Sequence, residues 1–329
     1  MLSATSQPRA PASEHSQGAG RDWGQHHSWR WRGLDCHWRV LGPESGQALV
    51  LVHGFAAGSG HWRHNAPALA EAGWRVYGLD LVGFGASEQP GHHRLQRLDN
   101  RLWARQLQAF LAEVVQSDAV LVGHSLGALV CLSCAVFFPH WVRALVAAPL
   151  PDPTLLLPIP ARRPRWRRQL QRLLVHLLCR LLPLELIVPL LVHSPLLDLG
   201  IQAAYSTPVI GDSDLRHLIA WPARRPGAVR ALRAMSIAMA LRPRGATAAD
   251  LLPRLRQPAL LVWGQQDRLV PLPVAEEVSQ LRRDLPLVLL EQAGHCPHDE
   301  TPTPFNRLLL GWLAQLPEAG EEAGEVPAA

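Results

Sequence analysis

The stretch that begins at Ala119 constrains the fold more than any other part of the chain. Ala119 to Val122 is a short run that is apolar at every position, as expected for a strand of a parallel sheet covered on both faces. It leads into Gly123-His124-Ser125-Leu126-Gly127, and the small apolar residues that follow favour a helix that ends before Pro139. A strand that turns sharply into a helix predicts an α/β fold.

The turn has the pattern Gly-x-Ser-x-Gly, in which a strained strand-to-helix turn presents the serine hydroxyl. Gly123 and Gly127 are expected because neighbouring backbone passes too close for larger side chains. The following helix directs its free N–H groups and positive dipole end toward the place where an oxyanion would form beside Ser125. The pattern therefore predicts a nucleophilic serine, although a glycine-flanked turn with a capping serine also fits these five residues.

Strand-like runs alternate with helical patterns on both sides of this turn. The predicted strands lie at Trp29–Val40, as an antiparallel pair broken at Gly33, and at Ala48–His53, Trp74–Asp80, Ala119–Val122, Trp141–Ala148, Ala259–Trp263 and Leu285–Leu290. Helices are predicted between them, near His61, from Leu98 to Val115 and from Pro273 to Leu281, with a closing helix from Pro304 to Leu316. This alternation predicts a mostly parallel sheet with helices on both faces.

The alternation stops between Pro149 and Asp250, where Pro, Leu and Arg dominate and no run is typical of a strand. This segment, 149–250, predicts a helical cap inserted between two parts of the α/β core, 28–148 and 251–316. Residues 1–27 are polar and lack the apolar segment of a secretory signal, so we interpret them as a disordered leader. Residues 317–329 are interpreted as an acidic disordered tail.

Composition argues against several functions. The net charge is +5, but all 32 basic residues are arginine, which is more typical of genomic base composition than of nucleic-acid binding, and no nucleic-acid-binding motif is present. The glycine-rich loops match neither the dinucleotide fingerprint nor the phosphate-binding loop, and no cofactor or metal is expected. Five cysteines without framework spacing favour a reducing, cytoplasmic compartment, and the Cys131-x-x-Cys134 pair is expected to pack inside a helix.

A serine hydroxyl needs a base, and the base needs a carboxylate that orients it. Asp267 follows the Ala259 strand and His295 follows the Leu285 strand, in the chain order serine, acid, histidine. Because the carboxyl ends of parallel strands lie at one edge of the sheet, we expect both side chains near Ser125. The backbone N–H groups of Leu126 and Phe55 are expected to bind the oxyanion.

Other assignments remain open at this point. Asp267 also fits a helix cap, and Asp152, which follows the strand after the turn helix, is an alternative acid. His298 is an alternative base, three residues after His295. His124 is expected to point away from the nucleophile and to pack.

Five short motifs occur along the chain: His53-Gly54-Phe55, Asp80–Ser87, Gly123–Gly127, Gly264–Asp267 and Gly294-His295. They resemble, in the same order, the motifs of the α/β-hydrolase superfamily, and the resemblance extends over about residues 28–316. The resemblance implies an α/β-hydrolase fold with a serine nucleophile. Haloalkane dehalogenases and epoxide hydrolases share the layout but carry aspartate where this chain has Ser125, so their chemistry is set aside.

The loops 53–65 and 80–87 resemble more narrowly the plant and cyanobacterial branch that includes pheophytinase and chlorophyll dephytylase. Members of that branch cleave the phytyl ester of chlorophyll pigments, so this resemblance implies a lipophilic ester substrate. Ala56 and Ala128 depart from the glycines that are commonest in such loops.

The segment 162–182 predicts a basic helix with one apolar side. It carries seven arginines and no acidic residue, and leucines recur at helical spacing after Trp166. The leucines are expected either to pack over the active site with the arginines in solvent, or to rest on an anionic membrane surface. The sequence contains no stretch of about 20 uninterrupted apolar residues, so a membrane-spanning helix is not expected.

The sequence as a whole predicts a serine hydrolase that cleaves a long-chain or isoprenoid carboxylic ester through an acyl-enzyme. A C–C bond hydrolase or an acyltransferase with the same triad is an alternative. A binding protein without activity is a further alternative, since a fold does not dictate function.

Overall fold

Eight strands form one sheet in the computed structural model, which describes residues 22–91, 97–151, 165–240 and 245–317. The strands are β1 (Gln25–Trp31), β2 (Leu34–Leu41), β3 (Ala48–Val52), β4 (Arg75–Leu79), β5 (Ala119–Gly123), β6 (Val142–Ala147), β7 (Ala259–Gly264) and β8 (Leu287–Leu290). Their order is β1-β2-β4-β3-β5-β6-β7-β8. The pairs β1–β2 and β2–β4 are antiparallel and all other pairs are parallel, which confirms the predicted mostly parallel sheet.

Residues 22–27, the end of the predicted leader, are folded, while residues 1–21 and most of the predicted tail, 318–329, lie outside the described residues. Gln25 pairs with Val40 in the β1–β2 ladder. Upstream of it, Trp23 is buried and its indole N–H donates to the carbonyl of Ser59 at 3.0 Å. The boundary at 27 was therefore wrong. The reason is that β1 is a half-exposed edge strand, so its Gln and His residues resemble those of a polar leader.

Helices pack on both faces of the sheet. In the core they are α1 (Ala66–Glu71), α2 (Asn100–Phe110) and α3 (Leu126–Phe137). A cap follows with α4 (Arg165–Leu181), α5 (Leu184–Val192), α6 (Leu196–Gln202), α7 (Ser213–Arg224) and α8 (Ala228–Ala240). The core resumes with α9 (Ala248–Leu251), α10 (Leu272–Leu281), α11 (Pro297–Glu300) and α12 (Pro302–Leu313).

Alternating residues of a strand are buried in two separate hydrophobic cores, one on each face of the sheet. Val50 and Val52 of β3 belong to the cluster that includes α2 and α3, whereas Leu49 and Leu51 belong to the cluster that includes α1 and α12. Because strand side chains alternate between faces, this arrangement requires apolar residues at every position. β5 is accordingly buried throughout, and it ends at the turn that carries Ser125.

The predicted cap segment ends slightly earlier than expected. The Thr247 hydroxyl accepts from the amide of Asp250 at 3.1 Å, and this capping box begins α9. Ala248 and Leu251 are then buried in the core beside the sheet. The core therefore resumes near residue 247 rather than 251.

The cap has a small core of its own and a large apolar exterior. Val188, Val192, Leu197 and Ile201 pack together with Tyr205. The opposite sides of the same helices, together with α4, form what we call the apolar cap surface. Its exposed members are Trp166, Leu170, Leu173, Leu174, Leu177, Leu178 and Leu181 of α4, Leu186, Ile187, Leu190 and Leu191 of α5, and Leu196 and Leu199 of α6.

Packing of the α4 leucines over the active site, one of the two expectations for 162–182, is contradicted by these exposures, which range from 47% to 69%. No single helix among the described residues has the length and apolarity needed to cross a membrane. The pair α5 and α6 passes that test only when taken together, and it is bent by 83°.

Candidate active site

Ser125 sits at the point where β5 turns into α3. Its backbone has φ 51° and ψ −116°, a left-handed conformation that costs energy in a residue with a side chain. The turn also requires glycine on either side. A Cβ at Gly123 would lie 2.5 Å from Cα of Ala128, and one at Gly127 would lie 2.5 Å from the carbonyl oxygen of His53.

A continuous chain of hydrogen bonds joins the three residues that the sequence selected. The Ser125 hydroxyl donates to Nε2 of His295 at 3.0 Å, and Nδ1–H of His295 donates to Asp267 at 2.9 Å. The other Asp267 oxygen accepts from the amides of Leu269 and Val270 at 2.8 and 2.9 Å. The carboxylate is thereby fixed in orientation, and it holds the imidazole with its Nε2 lone pair toward the serine.

Asp267 is not a helix cap, because the two amides that donate hydrogen bonds to it lie in the loop that precedes α10. The alternative acid, Asp152, lies outside the described residues. The alternative base, His298, is fully buried and its ring packs against Trp62, with ring centroids 4.2 Å apart and the planes tilted by 39°. The structure thus brings His295, rather than His298, to the serine.

The loop of His295 is held by a residue that sequence reasoning missed. One oxygen of Glu300 accepts from the amides of Gly294 and Cys296 at 2.8 and 3.1 Å, on either side of His295. In addition, the amide of His295 donates to the carbonyl of Ala204, in the cap, at 2.9 Å. The sequence signal for this contact is an acidic residue, Glu300, five positions after His295 and within the short helix that Pro297 begins.

His124 lies beneath the triad and not beside the nucleophile. Its Nε2–H donates to the carbonyl of His295 at 3.0 Å, and its ring packs against those of His61 and His298. Burial, with the nearby His295 and His61 adding to it, lowers the pKa of His124 well below the usual range. The ring is therefore neutral at physiological pH. It packs against the neighbouring rings and donates a hydrogen bond to a backbone carbonyl.

Three buried histidines, His61, His124 and His298, lie together beneath the triad. One nitrogen from each lies within 4.8 Å of the other two. Nε2 of His61 is hydrogen-bonded to the hydroxyl of Tyr205 at 2.8 Å, and Nε2 of His124 to the carbonyl of His295 at 3.0 Å. These two rings therefore connect the cap and the loop of the base.

A buried aspartate joins the same region to the cap. Asp299 accepts a hydrogen bond from the hydroxyl of Tyr205 at 2.7 Å and forms an ion pair with Arg63 at 2.9 Å. Burial alone would raise the pKa of Asp299, but hydrogen bonds from His61 and Tyr205 and the charge of Arg63 outweigh it and hold the pKa below its usual range. Asp299 is therefore a paired, ionised anchor for the cap segment.

The loop that carries Phe55 is organised by another buried carboxylate. Asp80 accepts from the amide of Ser59 in this loop, and from the amide of Ala86 at 2.8 Å in the loop after β4. His37 completes the site with a hydrogen bond of 2.9 Å, and this partner holds the pKa of Asp80 low in spite of burial. A single side chain thus fixes both glycine-rich loops.

A cavity of about 240 Å³ opens at the serine. Phe55 and Leu126, whose amides were expected to bind an oxyanion, both line it. As the first residue of α3, Leu126 has no acceptor for its N–H within the helix. The remaining lining is mostly apolar: Trp103, Leu129, Pro151 and, from α8, Met235 and Ser236.

Comparison with known proteins agrees with this geometry. The family described as alpha/beta hydrolase fold matches residues 47–302. Pheophytinase from the chloroplast of Arabidopsis thaliana is 24% identical over 96% of this chain and 71% of its own length. Bifunctional epoxide hydrolase 2 of Sus scrofa is 34% identical, but the match covers 36% of this chain and only 21% of the pig protein.

Among solved structures, a bacterial membrane phospholipase A superimposes with a TM-score of 0.67 and 25% identity, covering 90% of this chain and 87% of that one. The family match spans most of the chain, and it includes Ser125, Asp267 and His295. The chain therefore belongs to the α/β hydrolase fold family.

Proposed function

We propose that the protein is a serine hydrolase that cleaves a carboxylic ester of a lipophilic substrate through an acyl-enzyme. The observation that carries the proposal is the hydrogen-bond chain from Ser125 to His295 to Asp267, with distances of 3.0 and 2.9 Å. A hydroxyl in this setting loses its proton to Nε2 of His295 as it attacks a carbonyl carbon. Asp267 orients the imidazole and stabilises the imidazolium that forms.

The amides of Leu126 and Phe55 bind the negative charge that develops on the carbonyl oxygen. The imidazolium then protonates the leaving alcohol, and Ser125 retains the acyl group. Water enters next, gives a proton to His295 and attacks the acyl carbon. The acid is released and the serine hydroxyl is restored.

Two observations support a lipophilic substrate. The cavity beside Ser125 is lined by Phe55, Trp103, Leu126 and Leu129, so an apolar acyl or alcohol chain has favourable surroundings there. The similarity to a pheophytinase, which extends over most of the chain, supports a phytyl-type ester within this class. Epoxide opening is disfavoured, because epoxide hydrolases carry an aspartate where this chain has Ser125.

The test is hydrolysis of p-nitrophenyl esters of graded chain length, and of pheophytin and chlorophyll, by wild type, Ser125→Ala and Ser236→Ala. Ser236 is a matched control because its hydroxyl lines the same cavity but donates to the carbonyl of Leu232 at 2.9 Å. We expect a loss of about 10⁴-fold or more in Ser125→Ala alone. Release of phytol would place the substrate in the pigment class.

Activity that falls steadily from short to long chains would contradict a lipophilic substrate while leaving the esterase intact. Failure of a serine-directed phosphonate to label Ser125, together with no turnover of any ester, would contradict the hydrolase mechanism. Transfer of the acyl group to an added alcohol in preference to water would instead identify an acyltransferase.

A further inference from the structure

The cap turns the apolar side of its first helix away from the protein. In α4, Leu177 and Leu181 are 47% and 69% exposed, whereas Cys179 is buried. At about 100° per residue, Cys179 points roughly 160–200° away from both leucines. The side of α4 that meets the protein is thus opposite the leucine side, and we propose that the apolar cap surface docks on an anionic lipid bilayer.

The neighbouring helices extend this surface. In α5, Leu186 and Leu190 are 74% and 69% exposed, while Val188 and Val192 on the other side are buried. α4 and α5 are joined to one another through Arg233 of α8, which donates to the carbonyls of Cys179 and Arg180 and to the carboxylate of Glu185. Exposed apolar patches of this extent mark sites of protein or membrane contact.

Charge decides which contact fits. Residues 162–180 contain seven arginines and no acidic residue. The guanidinium of Arg167 lies over the ring of Trp166 at 5.1 Å, which places a positive charge directly beside the apolar side chains. On the adjacent helices, Glu185 and Asp198 are paired with Arg233 and Arg216 at 2.6 and 2.8 Å.

A helix that combines many arginines with one apolar side is typical of a membrane interface. Anionic headgroups attract the arginines, and the leucines enter the boundary with the acyl chains. A second copy of this chain would instead bring two arginine-rich segments together, and the like charges would repel. The bilayer is therefore the occupant that the charges favour.

One helix of the cap contacts both the apolar cap surface and the cavity. Arg233 of α8 holds α4 and α5, and Met235, two residues further along the same helix, lines the cavity at Ser125. The helices that would rest on the bilayer are therefore joined to the wall of the cavity through α8.

The experiment is co-sedimentation of the full chain with vesicles of phosphatidylcholine alone and of phosphatidylcholine mixed with phosphatidylserine. We expect binding to the mixed vesicles that weakens with salt. The double variant Leu177→Asp/Leu181→Asp should bind at least about tenfold more weakly, because charges enter the interface poorly. The double variant Arg167→Gln/Arg180→Gln should lose about fivefold for each arginine removed.

Leu289→Asp is the matched control, since Leu289 is 41% exposed on β8 of the core and should bind like wild type. Equal binding to neutral and anionic vesicles, or equal losses in the Leu289 and Leu177/Leu181 variants, would overturn the proposal. So would a dimer that the Leu177/Leu181 change abolishes in a chain that binds no vesicle. Ser125→Ala should bind as wild type does, so the outcome is independent of the proposed ester hydrolysis.

Discussion

Ser206 of the cap donates both its amide, at 2.6 Å, and its hydroxyl, at 2.7 Å, to one oxygen of Glu300. The other oxygen of the same carboxylate accepts from the two amides that flank His295. Glu300 thus joins the cap to the loop of the base through one rigid group, and it acts as a positioning residue rather than a catalytic one.

We expect Glu300→Gln to lower kcat by roughly 10- to 100-fold with KM nearly unchanged, because small displacements of a catalytic group are costly in turnover. An amide at this position offers one oxygen acceptor, whereas the carboxylate serves amides on both sides. The check is steady-state hydrolysis of a p-nitrophenyl ester, with the melting temperature measured in parallel. Glu291→Gln, at an exposed position of the preceding turn, is the control. A wild-type kcat in Glu300→Gln would show that the contact has no part in positioning His295.

Asp267→Asn should reduce turnover by about 10⁴-fold without unfolding the protein. The new amide oxygen can keep the hydrogen bonds from Leu269 and Val270, which directs the amide nitrogen at His295. That nitrogen donates, so it opposes Nδ1–H and favours the wrong tautomer. Single-turnover release of p-nitrophenol measures the acylation step directly. Asp284→Asn, at an exposed aspartate paired with Arg282, should act as wild type. If the two variants had the same rate, Asp267 would not be the acid.

Gly127→Ala should lower the free energy of unfolding by about 1–3 kcal/mol or more, since the added methyl meets the carbonyls of Val52 and His53. Gly311→Ala is the matched change, because Gly311 lies in α12 with open space around it. There alanine should add about 0.5–1 kcal/mol by favouring the helix. Thermal and urea denaturation of both variants measure the contrast. Equal stability of the two would show that the turn has room for a side chain.

Stability should fall as the pH drops below about 6.5, the ordinary pKa of histidine. Burial is the main cause that lowers the pKa of both His124 and His298, so the folded chain holds these rings neutral while the unfolded chain takes up protons. Their contribution is therefore complete above that pH and is lost on acidification.

His298→Phe should retain the ring contact with Trp62 and reduce this slope by about 1.4 kcal/mol per pH unit. Urea denaturation at several pH values between neutral and weakly acidic gives the slope, and His140→Gln, at an exposed position, is the control. An unchanged slope in His298→Phe would contradict the assignment of the effect to that ring.

The central parallel strands could be predicted from the sequence, because β5 and β7 are buried at every position and therefore apolar on both faces. Ser125 and Asp267 follow the ends of these two strands, which is why their placement at one edge of the sheet could be predicted as well. Glu300 and Ser206 escaped notice for a physical reason. They are 94 residues apart, and their contact depends on how the cap folds back. The N-terminal boundary failed because a half-exposed edge strand needs few apolar residues, as Gln25 and His26 illustrate.

The α4 helix illustrates a different limit. Periodicity located its leucine side, but periodicity does not say whether that side faces protein or solvent. The outward orientation of Leu177 follows from the contact of Cys179 and Arg233, which are far apart in sequence. The cavity likewise combines Phe55, Trp103 and Met235 from three separate segments, so periodicity within one segment could not predict its lining.

The hydrogen bond from the amide of His295 to the carbonyl of Ala204 has a consequence for engineering. Exchange of the cap between relatives is an obvious way to alter substrate preference. In this protein the segment from Ala204 to Thr207 supports the base directly, through His295 and Glu300. A chimaera in which this segment is exchanged together with the rest of the cap should have a lower rate on every substrate. A chimaera that keeps the native segment can change selectivity alone.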